Sequence, residues 1–404
     1  MKLANPQRMR HLDLGRPALL ALASLLPLLL LGLGAQVASA APAGANGYGD
    51  CQAVTLPVAL APGQPASQTI WGSYCTPLTW QAGADEVDVL TPGATYNATY
   101  WNWPVDPALY SYVDKTLAAG RATFDYDRVG TGASSHPLST GITIDAEAYV
   151  LHQIVTWLRD SLGFTQVNLV GHSLGSVISI QEAGTYGDVS RVVVTGLLHA
   201  PGVGVGFATT LASLLYPAAD DPQFTGLGLD LGYLTTIPGD RAADFYSSSA
   251  DPAVVAYDEA HKDLVPATDL ATLATTWALP PGLNASDDIT VPVLVVIGQQ
   301  DAIFCADPPV LDCGDPAQVL ANEAPYYARA ASLAVDVIPD TGHDVALHPS
   351  ADESFGLIND WILDHPVASS HHTTLPSGSG RQPHSVARAA MTSRPRPDSS
   401  SGSA

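Results

Sequence analysis

A serine in a glycine-flanked turn is the residue of this 404-residue chain best suited to covalent chemistry. Ser173 is the third residue of the pentapeptide GHSLG at positions 171–175, and the apolar run at 166–170 predicts a buried strand before it. A helix is expected after the turn, so the hydroxyl would lie at the positive end of a helix dipole. A serine hydroxyl is a weak nucleophile unless a neighbouring base accepts its proton. The sequence must therefore also hold a base and a group that orients it; the alternative is that Ser173 only caps the helix.

Candidates for the base and its partner follow the last two predicted strands. His343 comes after the strand predicted at 334–338, and Asp301 comes after the strand predicted at 291–297. Because the carboxyl ends of parallel strands meet at one edge of a sheet, Ser173, Asp301 and His343 are expected to lie close together. We take His343 as the base and Asp301 as the residue that orients it. Further candidates stay open, namely Asp307 or Asp315 for the acid and His348, His261 or His199 for the base.

Acyl transfer to a serine also requires an oxyanion hole, formed by two backbone N–H groups about 3 Å from the developing negative charge. The amide of Leu174, directly after the serine, is the first candidate. The second is expected in the loop TPGATYN at 91–97, which follows the strand predicted at 86–90. We favour Ala94 as this second donor, with Thr95 as the alternative.

The elements that must position these residues alternate between strand and helix, which predicts an α/β fold with a mostly parallel sheet flanked by helices. Strands are predicted at 86–90, 121–126, 166–170, 191–197, 291–297 and 334–338, and helices at 110–119, 145–161 and directly after Ser173. The rhythm is lost at about 202–288, where only 208–215 and 269–277 have a helical pattern. More than 80 residues is too long for a simple crossover. We therefore expect a helical lid inserted into the sheet domain, with an independent domain as the alternative.

These motifs resemble the α/β-hydrolase superfamily, and within it a secreted bacterial esterase- or lipase-like branch, over about residues 85–200 and 288–362. Besides the serine turn, the segment DRVGTGAS at 127–134 is similar to the family's D-x-x-G-x-G-x-S turn, and 298–301 and 342–343 resemble its acid and base segments. The resemblance implies an eight-stranded, mostly parallel sheet and hydrolysis through an acyl-enzyme, without metal or organic cofactor. One departure is the oxyanion loop, where the family's usual His-Gly is Pro92-Gly93.

The charge balance excludes several classes of partner. The chain has 39 acidic residues against 16 lysines and arginines, a formal net charge of −23, and 46% hydrophobic residues. Nucleic-acid binding requires clustered cations, and docking on anionic membranes requires a basic surface. We therefore expect a folded enzyme whose partner is a small molecule, and not a nucleic acid or a membrane surface.

Both ends of the chain differ from the middle. Residues 1–40 combine four basic side chains, an apolar run at 18–33 and the small residues ASA at 38–40, which is typical of a signal peptide cleaved near Ala40. The apolar run is shorter than the ~20 residues that a spanning helix needs; an uncleaved anchor is the alternative. Residues 41–365 are expected to form the hydrolase domain, and 366–404, rich in Ser, Gly, Pro and His, a disordered tail.

The four cysteines agree with export. Their grouping in sequence makes the pairs Cys51–Cys75 and Cys305–Cys313 the most economical of three connectivities, with free thiols as the alternative. No C-x-x-C spacing is present, so the cysteines indicate no zinc site.

The pattern predicts a secreted serine hydrolase that cleaves neutral, hydrophobic carboxylic esters or lactones. Peptidase, carbon–carbon bond hydrolase and acyltransferase use the same triad and remain open, as does a non-catalytic binding protein on the same scaffold.

Overall fold

The computed structural model of this protein describes residues 47–78, 80, 85–199, 213–305 and 311–366. The predicted signal peptide at 1–40 lies outside these residues. So do the predicted tail after residue 366 and most of the helix predicted at 208–215.

An eight-stranded sheet forms the centre of the molecule, with the strand order β1-β2-β4-β3-β5-β6-β10-β11. The strands are β1 (Gly49–Val58), β2 (Gln68–Pro77), β3 (Glu86–Thr91), β4 (Ala122–Tyr126), β5 (Gln166–His172), β6 (Arg191–Thr195), β7 (Leu215–Pro217), β8 (Tyr233–Thr236), β9 (Val265–Pro266), β10 (Val293–Gly298) and β11 (Leu333–Ile338). Strand β2 pairs antiparallel with β1 and β4, and the six strands from β4 to β11 in that order are parallel. The mostly parallel sheet predicted from the strand–helix alternation is confirmed.

Helices cover both faces of this sheet, and further helices lie in the segment between β6 and β10. They are α1 (Pro107–Tyr110), α2 (Tyr112–Ala118), α3 (Ile144–Leu162), α4 (Leu174–Tyr186), α5 (Arg241–Asp244), α6 (Pro252–Ala260), α7 (Ala267–Thr276), α8 (Pro316–Glu323) and α9 (Ala351–Asp364). The single helix predicted at 110–119 is two helices, because Ser111 adopts an extended conformation and its side chain caps α2 at the amide of Asp114.

Strand β6 illustrates why the parallel strands are continuous apolar runs. Val192 and Val194 belong to one hydrophobic cluster, with side chains of α3 and α4, whereas Val193 belongs to the second cluster, with side chains of α2 and α9. All three are buried, since helices cover both faces of the sheet. Burying each valine contributes about 1.5–3 kcal/mol, which fixes the register of the strands that carry the site.

The segment between β6 and β10 is not part of the central sheet. Its described residues form the three-stranded antiparallel sheet β7-β8-β9 and the helices α5, α6 and α7. The end of the helix predicted at 208–215 is instead the start of strand β7, because Leu215 pairs with Thr236.

Two disulfide bonds join the cysteines in the pairing that the sequence favours. Cys51–Cys75 connects neighbouring positions of β1 and β2, and Cys305–Cys313 closes a loop after β10. Among the described residues, no helix combines the length and the apolar composition needed to cross a membrane.

Candidate active site

Ser173 lies in a sharp turn between β5 and α4. Its backbone angles are φ 51° and ψ −118°, which a non-glycine residue adopts only under strain of about 1–3 kcal/mol. The turn is possible because glycines stand on either side of it. A Cβ at Gly175 would lie 2.2 Å from the carbonyl oxygen of Thr91, and a Cβ at Gly171 would lie 2.6 Å from the carbonyl oxygen of Gly175. The close packing of strand and helix therefore requires both glycines and fixes the position of the serine.

His343 and Asp301 form a buried pair beside this turn. Nδ1 of His343 donates to Oδ2 of Asp301 over 2.9 Å, and the other carboxylate oxygen accepts the backbone N–H groups of Ile303 (2.8 Å) and Phe304 (3.0 Å). Burial lowers the pKa of His343, but the charge and hydrogen bond of Asp301 outweigh it, so the pKa lies above its ordinary value of 6.5. This arrangement fixes the ring and makes the imidazole a stronger base.

The structure brings Ser173 and His343 to the wall of one cavity. No hydrogen bond joins the two side chains within the described part of the chain. In enzymes without bound substrate, catalytic hydrogen bonds are often long and shorten only in the substrate complex. The geometry therefore brings Ser173, His343 and Asp301 together at one site; their catalytic roles stay a prediction.

The alternative histidines and acids have other partners. His199 pairs with Glu323, and His348 accepts hydrogen bonds from the amides of Gly342 and Ser247. The ring of His261 stacks on Tyr257. Asp315 caps helix α8, and Asp307 lies outside the described residues.

A second histidine–aspartate pair lies beside the first and was not predicted. Nε2 of His172 is 3.1 Å from Oδ1 of Asp344, and Nδ1 is 3.1 Å from the hydroxyl of Thr195. The rings of His172 and His343 are 5.0 Å apart between centroids. Burial lowers the pKa of His172 well below its ordinary value, and the neighbouring charge of His343 lowers it further. His172 is therefore a neutral, fully buried group behind the cavity.

Only the position of these residues in the sequence could have indicated this second pair. His172 directly precedes Ser173, and Asp344 directly follows His343. The contact between them spans 172 positions, which neither periodicity nor spacing reveals.

The backbone amides near Ser173 separate the two candidates for the second oxyanion donor. The N–H of Thr95 donates to the carbonyl oxygen of Leu264 over 3.3 Å. Among the described residues, neither the N–H of Ala94 nor that of Leu174 has a hydrogen-bond partner, and both residues line the cavity. Two free amides on the cavity wall are what an oxyanion hole requires. The geometry favours Ala94 over Thr95.

Two buried arginines hold the oxyanion loop on either side of Ala94. Arg128 donates to the carbonyl oxygen of Gly93 over 3.2 Å, and Arg241 donates to the hydroxyl of Thr95 over 2.8 Å. These contacts anchor the loop that contains Pro92, the position at which the resemblance noted in the sequence would place a histidine.

Each arginine is itself fixed by carboxylates. Arg128 pairs with Glu147 at 2.7 Å, with Asp269 3.4 Å away, and Arg241 makes a bidentate pair with Asp258 at 2.8 and 2.7 Å. Both guanidinium groups are fully buried.

The turn at 127–134 holds the next part of the same loop. The carboxylate of Asp127 accepts the N–H of Ala98 over 3.0 Å and the N–H of Ala133 over 2.7 Å. A Cβ at Gly132 would lie 2.1 Å from that carboxylate, which explains why glycine stands there.

The cavity is almost entirely apolar apart from Ser173 and His343. Its walls come from the oxyanion loop, the serine turn, the loop after β10 and the segment between β6 and β10. The lining residues are Ala94, Thr95, Tyr96, Ser173, Leu174, Leu197, Leu214, Leu215, Phe245, Leu270, Leu273, Ile303, Phe304 and His343. Such a surface can bury a hydrocarbon group next to the serine hydroxyl.

A serine on a strained strand-to-helix turn, with an acid and a histidine after later strands of a parallel sheet, defines a class of enzyme fold. The sequence model of the alpha/beta hydrolase family matches residues 89–353. The chain belongs to this family.

One curated relative is similar in sequence, and two solved structures are similar in fold. A Synechocystis sp. protein provisionally named non-heme chloroperoxidase is 31% identical over 163 residues, 40% of this chain and 50% of the relative. The chain thus matches only half the length of this relative.

Both solved structures are similar in fold. An esterase from Thermogutta terrifontis has a TM-score of 0.52 and 18% identity, over 78% of this chain and 100% of the esterase. A protein from Acinetobacter baumannii provisionally described as a lipase has a TM-score of 0.50 and 14% identity, over 78% and 91% of the two chains. At these identities the likeness establishes the fold alone.

Proposed function

We propose that this protein is a serine hydrolase that cleaves neutral, hydrophobic carboxylic esters or lactones. One observation carries the proposal. The strained Ser173 and the Asp301–His343 pair meet at an apolar cavity where the amides of Leu174 and Ala94 have no partner among the described residues. That combination supplies nucleophile, base and oxyanion donors at one point.

The reaction begins when the Ser173 hydroxyl attacks the ester carbonyl and His343 accepts its proton through Nε2. Asp301 holds Nδ1–H and stabilises the imidazolium that forms. The carbonyl oxygen becomes an oxyanion and receives hydrogen bonds from Leu174 and Ala94. His343 then protonates the leaving alcohol, and water releases the acyl group by the same route.

The surroundings of the site favour uncharged substrates. The cavity lining is rich in hydrocarbon side chains. Residues 41–365 contain only eight lysines and arginines but 37 acidic residues. Five of those cations, Arg121, Arg128, Arg191, Arg241 and Lys262, are buried in ion pairs. The remaining surface is strongly acidic and repels anionic substrates.

The proposal has two further parts: the protein is exported, and the segment between β6 and β10 covers the active site. The signal-like sequence at 1–40 and the two disulfide bonds suit a protein of an oxidising compartment. Leu215, Phe245, Leu270 and Leu273, all from the segment between β6 and β10, line the cavity, which supports its role as a lid.

The test is hydrolysis of p-nitrophenyl esters with acyl chains from C2 to C16 by the full chain and by Ser173→Ala. We expect activity that Ser173→Ala abolishes and that Ser248→Ala, at an exposed serine, retains. A fluorophosphonate probe should modify Ser173 alone. Probe labelling without hydrolysis of any ester would refute the ester proposal and favour a peptidase. Ester cleavage that survives Ser173→Ala would refute the assignment of the nucleophile.

A further inference from the structure

We propose that His152, Glu182 and Asp188 bind one divalent transition-metal ion, with Zn²⁺ as the best match, at a site separate from the active site. His152 lies in α3, Glu182 in the last half of α4, and Asp188 just beyond the end of α4. The cysteine spacing indicates no zinc site, and no motif predicts this one, because its ligands are separated by 30 and 6 positions.

The geometry of the cluster is that of ligands around a common centre. Nδ1 of His152 is 3.0 Å from Oδ2 of Asp188 and 3.6 Å from Oε1 of Glu182, and the three ligand atoms lie within 4.8 Å of one another. Ligands about 2.0–2.2 Å from a tetrahedral zinc ion lie roughly 3.3–3.6 Å apart. The 3.0 Å contact between Nδ1 of His152 and Oδ2 of Asp188 does not have the geometry of a hydrogen bond.

The carboxylate of Glu182 is a second and independent observation. Its side chain is fully buried, and neither of its oxygens has a hydrogen-bond partner. Burial raises the pKa of Glu182 to about 8, so its carboxyl group is stable there only when it holds a proton or when a cation compensates its charge. A metal ion between Glu182 and the two other ligands would supply that cation and satisfy both kinds of donor atom.

The site is open to solution on one side. The side chains of His152 and Asp188 are 26% and 29% exposed, whereas Glu182 forms the buried floor. The ring of Tyr186 stacks on His152 at 3.9 Å between centroids and holds the imidazole. Arg159, the nearby cation, donates to the backbone carbonyl of Asp188 and makes no contact with its carboxylate. An ion can therefore enter and leave without unfolding of the helices.

The donor set selects the class of metal. One imidazole and two carboxylates neutralise a divalent charge when the histidine is neutral, and water can complete four-coordination. Ca²⁺ prefers six to eight oxygen ligands and Mg²⁺ a regular octahedron of oxygens, so both fit this set poorly. The bound ion would tie α3 to the end of the helix that begins at Leu174.

The test compares thermal unfolding of the full chain in EDTA and in a modest excess of Zn²⁺. We expect Zn²⁺ to raise the Tm of the wild type by several degrees. The matched control Glu353→Gln, at an exposed carboxylate, should show the same rise. Glu182→Gln, which keeps shape and removes the charge, should show none.

Two further measurements keep the proposal falsifiable. His152→Asn changes a half-exposed ligand and should also abolish the rise, even if Glu182→Gln fails to fold. Co²⁺ should give the visible absorption of a four-coordinate ion in the wild type and not in His152→Asn. A wild type whose Tm ignores Zn²⁺, or an equal rise in Glu182→Gln or His152→Asn, would overturn the proposal. Loss of the rise in His152→Asn, which keeps the tail, would exclude uptake by the tail histidines as its cause.

Discussion

Two histidine–aspartate pairs lie side by side in this protein, and only one of them has its histidine on the cavity that contains Ser173. His343 with Asp301 and His172 with Asp344 have nearly equal contact distances, 2.9 and 3.1 Å, and all four side chains are buried. Their difference lies in what else each histidine touches. His343 lines the cavity that contains Ser173, whereas His172 stacks on Tyr100 at 4.3 Å and contacts Thr195.

The electrostatics of the two pairs also diverge. The pKa of His343 is raised because Asp301 outweighs the effect of burial, whereas burial and the charge of His343 hold the pKa of His172 well below its ordinary value. Burial raises the pKa of Asp344, because it disfavours the charged form of a carboxyl group. A histidine–aspartate contact therefore does not identify a base. Access to the nucleophile and a pKa near working pH identify it.

The largest effect should come from substituting the two histidines separately. His343→Gln removes the base and should lower kcat/KM for a p-nitrophenyl ester by about 10⁴–10⁶-fold. His172→Gln keeps a polar group that reaches Asp344 and should lose far less activity. Both are measured by steady-state kinetics, with fluorophosphonate labelling as a second readout. Comparable losses in the two variants would mean that the two pairs act as one unit.

Substituting the two aspartates should give the next largest contrast. Asp301→Asn removes the charge that stabilises the imidazolium and fixes its tautomer, and should lower kcat by about 10⁴-fold. Asp344→Asn retains a hydrogen-bonding group for His172 and Tyr96, so kcat should change little. A greater loss in Asp344→Asn would assign the catalytic acid to Asp344.

The first pair could be predicted from the sequence, because each of its members follows a strand of the parallel sheet. Strands such as β6, with Val192, Val193 and Val194 in sequence, are visible as apolar runs since both faces are covered. Strands β1 and β2 were not predicted. β1 is an edge strand with exposed and half-buried residues, and its apolar signal is correspondingly weak.

The second pair and the two arginines could not be predicted, because they depend on contacts between distant segments. Arg241 reaches Thr95 across 146 positions, from a segment whose secondary structure the sequence leaves indistinct. A buried arginine has no periodicity that separates it from a surface arginine. The contacts of Arg128 and Arg241 with the oxyanion loop are therefore visible only in the fold.

Removing one of these arginines should have a moderate effect on activity and a large one on stability. Arg241→Met leaves the buried charge of Asp258 without its cationic partner and should lower the free energy of unfolding by about 3–5 kcal/mol. It also releases Thr95, so kcat should fall, at most by the ~10²–10³-fold typical of a lost oxyanion donor. Urea unfolding and steady-state kinetics measure the two effects.

The double variant Arg241→Met/Asp258→Asn separates them. Removing the unpaired charge should restore part of the stability but none of the lost kcat, because the contact with Thr95 stays absent. Recovery of both quantities together would show that Arg241 supports the fold and does not position the oxyanion loop.

The smallest expected effect is a change in the pH profile. His343 accepts a proton only when neutral, so kcat/KM should fall as pH drops through its pKa, with a midpoint above the ordinary value of 6.5. Because the charge of Asp344 is among the causes that raise this pKa, Asp344→Asn should move the midpoint to lower pH and keep the plateau activity. Profiles of kcat/KM for both proteins measure the shift. A midpoint that stays fixed in Asp344→Asn would mean that Asp344 is protonated throughout, the state that its burial favours.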